Sequence, residues 1–381
     1  MSTVLPARGL AARAAATALF VGNGFLIGAW AANIPRLRDL HRLTDTGLGT
    51  LLLAFGLGAV AAMALTSALA ARLGAGRVAA VAGVLLAGLF PLVALVSGWA
   101  KLLSVAVLLG AVNGAMDVSM NAYASQLERR WRGAIMSSFH AGWSIGGLAG
   151  AAVAGVLAGA GWGLPAALAS AACVVAAGGL YGLTLPILDG AAPRQGAFRL
   201  PSRSLAAVSL LAALCFSAEG AVADWSGVYL ATVVGTGAAW ATTGYAAFAL
   251  AMVAGRLTGD AVVGWLGPAV AVRLGAMLAL LGLGLALAVP NRWAVDGGLI
   301  LVGAGLANVV PAVFSAAGRI AGTNGVATAA ATGYAGLLVA PPLLGHVADA
   351  LGLRVALMLV LAGIAAMALL AGAVAARPDR A

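Results

Sequence analysis

Lysine is almost missing from this chain: Lys101 is the only one among 381 residues, and the rest of the positive charge is arginine. Charge of either sign is scarce, at 8% Asp, Glu, Lys and Arg, where a soluble domain carries roughly a quarter. With 63% of residues hydrophobic, no water-soluble surface can be built around such a core. Cys173 and Cys215 both fall inside apolar runs. They offer neither a disulfide framework nor ligand spacing for a metal, and read as packing residues. Only three histidines occur and no His-Glu-x-x-His run, so an intramembrane metalloenzyme has no support. Lys101 stands outside any G-x-x-x-x-G-K-[ST] setting, which excludes phosphate-loop ATP hydrolysis. The same lysine is expected in a loop, which would leave no spanning position for a retinal Schiff base. No cofactor and no enzymatic activity are expected.

What the chain has in abundance is apolar length. A membrane-crossing helix needs about 20 mostly apolar residues, and such windows fall near 13–33, 46–71, 78–97, 102–127, 134–158 and 164–187. They resume at 204–231, 239–262, 269–289, 295–318, 324–345 and 353–375. The run from Ala14 to Trp30 is too long for an ordinary signal sequence, so it reads as the first span in spite of the cleavage-like Ala29-Trp30-Ala31. Between the sixth and seventh windows lies the longest polar stretch, with Asp189, Arg194, Arg199 and Arg203. The expected class is therefore an all-α membrane protein of about twelve transmembrane helices in two six-helix bundles. The bundles cover 1–187 and 204–381, with a cytoplasmic linker at 188–203.

An even number of spans puts both termini on one side, and the positive-inside rule chooses which. Fifteen of the 21 basic residues fall on the side of the termini and six on the other, so both termini are expected in the cytoplasm of a bacterial cell, the protein sitting in its plasma (inner) membrane. The +10 net charge is scattered singly and forms no stripe, which argues against nucleic acid. The partners expected are the lipid bilayer, a small-molecule substrate and a proton as possible coupling ion, with the chain a monomer.

Two weak repeats share an offset near 190 residues. Trp30 with Leu51-Leu52-Leu53-Ala54-Phe55 parallels Trp225 with Tyr245-Ala246-Ala247-Phe248, and Gly155 to Leu164 parallels Gly345 to Leu353. Duplicated bundles are a common plan for transporters. Gly142, Gly146 and Gly150 recur at i+4 in the fifth span, a small-residue stripe that lets helix backbones touch.

Ionisable groups inside a bilayer are costly, at least ~2.5–3.5 kcal/mol each on insertion scales, so the few present are the candidates for function. Asn113, Asp117 and Asn121 lie at i, i+4 and i+8 in the fourth span, on one helix face. A carboxyl group there can carry a proton or bind substrate; the alternative is a buried structural pair. His140 in the fifth span lies at similar depth, as a relay partner or a structural one. Glu219 is the corresponding acid of the second half, with Asp224 and Trp225 nearer the outer end. Asn23, Trp30, Trp225, Tyr245, Asn308 and Tyr334 are possible cavity-lining residues. Pro311 and the pair Pro341-Pro342 are expected to break their helices near a cavity. Arg256 and Asp260, four apart, can pair as a latch at the cytoplasmic end of the eighth span.

These features together resemble the major facilitator superfamily. More narrowly, Gly114-Ala115-Met116-Asp117-Val118-Ser119-Met120-Asn121-Ala122, Glu128-Arg129-Arg130 and Met136-Ser137-Ser138-Phe139-His140 resemble the bacterial inner membrane protein YbjJ-like group, near the fucose-permease branch. Gly28 to Pro35, Asp224-Trp225-Ser226 and Gly255 to Asp260 add to the likeness. The resemblance implies alternating access. In fucose permeases a fourth-helix carboxylate followed four residues later by asparagine serves proton-coupled sugar uptake, and Asp117 with Asn121 matches that spacing. The permeases' further acid on the first helix has Asn23 in its place, which cannot titrate. The superfamily's loop signature between the second and third spans survives in Arg72, Gly74 and Arg77, with Ser67 and Ala71 replacing its glycine and aspartate; Arg72 and Arg77 are the gating residues it implies. The expected function is a secondary active transporter of a small polar solute, sugar-like or another metabolite, coupled to protons. A proton-antiporting drug or metabolite exporter is the alternative within the fold, and a non-transporting membrane sensor or scaffold the one outside it.

Overall fold

A backbone in hydrocarbon must satisfy its own hydrogen bonds, and a helix does so within one segment. The computed structural model follows that demand throughout. It describes residues 6–131, 135–186 and 203–375, leaving aside the side chains of 6–8, 63, 64, 137, 203, 260, 323 and 327, and no strand occurs among the described residues. The helices are α1 Pro6–His41, α2 Asp45–Leu73, α3 Ala75–Leu89, α4 Leu92–Leu95, α5 Trp99–Glu128, α6 Met136–Gly159 and α7 Leu164–Gly182. There follow α8 Arg203–Thr232, α9 Ala238–Ala241, α10 Thr243–Leu266, α11 Pro268–Ala288, α12 Arg292–Leu306, α13 Val309–Leu351 and α14 Leu353–Leu370, closed by a 3-10 turn at Ala371–Ala375. Among the described residues they supply twelve segments long and apolar enough to cross a membrane. The linker expected at 188–203 lies almost wholly outside the described residues.

Proline behaves differently from the sequence expectation. Pro341 and Pro342 were expected to break their helix, yet α13 runs straight through both. A proline removes one donor and strands one carbonyl, which a membrane bundle tolerates when neighbouring groups take up the freed carbonyl. The breaks fall elsewhere. Ala307 and Asn308 interrupt the tenth span just ahead of Pro311, as expected there. Gly322, at φ 59, turns the chain between the tenth and eleventh spans, a backbone conformation open to glycine and strained for other residues.

The chain divides into two units, Met1–Arg42 with Leu51–Pro193, and Leu43–Thr50 with Arg194–Ala381. In the first, α1 packs on α6 and α7, and α3 on α5 and α7. The α1–α6 contact is backbone against backbone. A side chain at Gly24 would run into the Trp143 carbonyl and one at Gly28 into that of Gly147, while Gly146 and Gly150 meet the carbonyls of Val21 and Phe25. The glycine stripe is thus a packing surface. In the second unit α8 packs on α13, and α11 on α12 and α14; Gly275 against Gly305 and Gly282 against Gly298 repeat the device between α11 and α12.

Candidate functional site

In the first unit the polar side chains of three helices meet at Asn23, midway along α1 and 2% exposed. Its Nδ2 donates to Asn113 Oδ1 of α5 at 2.9 Å and lies 3.7 Å from the Met116 sulfur; its Oδ1 accepts from Trp143 Nε1 of α6 at 2.8 Å. One turn along α5 from Asn113 stands Asp117, half-buried. Asn121 Nδ2 donates to its Oδ1 at 3.1 Å and to its backbone carbonyl at 2.9 Å. The face drawn by the i, i+4, i+8 spacing therefore exists as a polar strip, with the Asn23 hub at one end and a carboxyl group at its centre. His140 lies on α6 with its ring edge-on to Phe20, centroids 5.6 Å apart, and Phe20 stacks on Phe139.

Trp143 is the residue the sequence reading missed. The available signal was its position, since tryptophan favours the ends of membrane spans, whereas this one stands away from the ends of its helix beside the glycine stripe. The hub makes a direct prediction. In Asn23→Leu, the Trp143 N–H and the Asn113 carbonyl lose their partner inside the bundle, each at a cost of about 1–3 kcal/mol. Thermal unfolding of the purified protein should show a clear drop. Adding Trp143→Phe, which removes one stranded donor, should recover part of it, and an additive loss would contradict the coupling.

The second unit carries a different chemistry. Cys215 and Glu219 lie one turn apart on α8, and the thiol donates to Glu219 Oε1 at 3.5 Å. Arg256 Nη2 of α10 stands 3.8 Å from Glu219 Oε2. Local spacing had pointed Arg256 to Asp260; the ion pair described is to Glu219, 37 positions away, and the Asp260 side chain lies outside the described residues. Further along α8, Asp224 is half-buried and Trp225 fully buried, its indole N–H without a partner among the described residues. Tyr245 of α10 is buried within electrostatic reach of both Asp224 and Arg256. Asn308, at the break of the tenth span, donates to the Gly255 carbonyl at 3.2 Å, pinning α10 beside Arg256. Tyr334 sits edge-on to Phe216, centroids 5.7 Å apart.

Of the remaining candidates, Trp30 is buried and stacks on Phe55 at 5.5 Å. Arg72 ends α2 and Arg77 follows in the first turn of α3, both exposed on either side of Gly74 at φ 88. Among the described residues no group of three His, Cys, Asp or Glu side chains could hold a metal. What these groups can do is exchange a proton at a carboxyl, offer hydrogen bonds from amides, and bind an anion at a guanidinium.

Residues 14–337 match the family model of the Major Facilitator Superfamily. An MFS-type transporter of Yersinia pestis is 34% identical over 93% of this chain and 92% of its own length. Membrane protein MosC of Rhizobium meliloti is 32% identical over 94% of this chain and 88% of its own. Among solved structures, a mutant of the nucleoside transporter NupG superposes with a TM-score of 0.78 at 14% identity, covering 95% of this chain and 99% of that one. A bacterial homologue of the human lysosomal transporter Spinster, inward-facing and occupied, gives 0.72 at 14% identity over 95% of each chain. Likeness at that identity speaks for the fold alone.

Proposed function

Since the chain belongs to the Major Facilitator Superfamily, a family of transporters rather than enzymes, we propose that it is a secondary transporter moving a small polar solute across the bacterial plasma membrane by alternating access, driven by the proton gradient. The observation that supports the coupling is Asp117. It is a carboxyl group within a membrane span, and its hydrogen bonds among the described residues are to Asn121 of its own helix. A permanently charged group so placed is costly, whereas one that takes up and releases a proton is what coupling requires. Asn113, Asn121 and His140 assist it, and Glu219 is the second acid. Asn23, Trp30, Trp225, Tyr245, Asn308 and Tyr334 shape the solute sites of their respective units, with Arg72 and Arg77 at the gate. The sequence motif around Asp117 supports the narrower YbjJ-like assignment.

The test begins with a thermal-shift screen of the purified protein against sugars, sugar acids, nucleosides and cationic drugs, with each stabilising compound then followed by counterflow into proteoliposomes. At least one polar metabolite should both stabilise the protein and be carried. Stabilisation by drugs alone, together with their proton-driven extrusion, would overturn uptake in favour of an exporter.

A further inference from the structure

We propose that Arg256 is the docking group for a carboxylate on the transported solute, and that Glu219 occupies it only while the site is empty. This rests on the transporter reading above and names the solute class for the second unit's site.

The first ground is how the guanidinium is spent. Arginine binds a carboxylate best through two parallel N–H···O bonds of roughly 2.7–2.9 Å. Arg256 instead meets Glu219 through one contact of 3.8 Å, which is an ion pair but too long for a hydrogen bond. Among the described residues Arg256 makes no hydrogen bond, so none of them fills its planar fork of donors.

The second ground is position. Arg256 lies in the interior of α10, ten residues before its end at Leu266, so about 15 Å of helix separates it from that end. Its guanidinium meets Glu219, which lies in the middle of the span Ser204–Thr232. The arginine side chain is nevertheless 38% exposed and the glutamate 22%. Charged groups within a span face water or a partner and not lipid, so that exposed surface belongs to a wet space a solute can enter.

The third ground is how lightly Glu219 is held. Its other oxygen accepts from the Cys215 thiol at 3.5 Å, and a thiol is a weak donor. The arginine's base, by contrast, is fixed through the Asn308 bond to the Gly255 carbonyl. A firm cation and a loosely tethered internal anion make an exchangeable pair. A solute carboxylate that engages the fork with both oxygens displaces Glu219. One guanidinium suits a single negative charge better than a doubly charged phosphate.

Matched neutral and acid pairs test this on the full-length protein: galactose with galacturonate, glucose with gluconate, glycerol with glycerate. Thermal shift and calorimetry should show binding by an acid and not by its neutral partner. Arg256→Gln should weaken that binding by roughly thirtyfold or more, with Arg256→Lys falling between. Glu219→Gln should tighten it several-fold, because the internal rival is gone, an outcome a purely structural salt bridge does not give. Unliganded melting of each variant shows that it is folded. Equal binding of both members, an acid shift that survives Arg256→Gln, a loss of binding in Glu219→Gln, or no acid shift in any pair overturns the proposal. A neutral solute that binds and is carried leaves the transporter reading standing while removing the acid class.

Discussion

Asp117→Asn should abolish solute accumulation driven by a pH gradient, down to the level of protein-free vesicles, while leaving solute binding and downhill exchange in place. The asparagine has the size of the aspartate and can still accept from Asn121 Nδ2, which spans 3.1 Å to the carboxylate oxygen. The geometry of the polar strip is therefore kept, and so is the hub at Asn23, one turn removed. The only function taken away is the exchange of a proton. Loss of accumulation with binding preserved separates coupling from folding and from recognition. Loss of all three would make Asp117 a structural residue.

The second large effect concerns assembly of the first unit. Gly28→Leu should prevent α1 and α6 from packing, because the new side chain points at the Gly147 backbone carbonyl. Backbone cannot swing aside as a flexible side chain can, so the helices must separate. Overpacking typically costs about 1–3 kcal/mol and occasionally more, and here separation also loosens the contacts at Gly24, Gly146 and Gly150. The expected result is little monodisperse protein on size exclusion and a sharply lowered melting temperature. Gly284→Leu is the control, since a side chain there meets open space, and it should behave like the parent. A well-folded Gly28→Leu protein would mean that this backbone contact is not what holds α1 to α6.

The helices and their number were legible because a bilayer asks for a simple quantity, apolar length, that any window of sequence displays. The face shared by Asn113, Asp117 and Asn121 was legible for the same kind of reason, since helical periodicity alone aligns them. Contacts that close over long separations were not. Trp143 reaches Asn23 across 120 positions, and nothing local marks the pair. Arg256 is a second case: the i+4 rule names Asp260, whose side chain lies outside the described residues, and nothing local marks Glu219 of α8, which tertiary packing brings to within 3.8 Å. Proline misled in the opposite sense. Pro341 and Pro342 carry the strongest local breaking signal, yet α13 passes through them and turns at Gly322, where positive φ rather than a missing donor decides the geometry.

The central claim is that the solute and a proton cross together, and the direct measurement is internal pH in proteoliposomes loaded with a pH-sensitive dye. On addition of a solute identified by the screen, with no gradient imposed beforehand, the lumen should acidify as solute enters, and the Asp117→Asn protein should leave it unchanged. This readout serves a neutral solute and an acid alike, because it follows the proton rather than net current. Solute entry with no change of internal pH in the parent protein, or equal acidification by Asp117→Asn, would contradict the account.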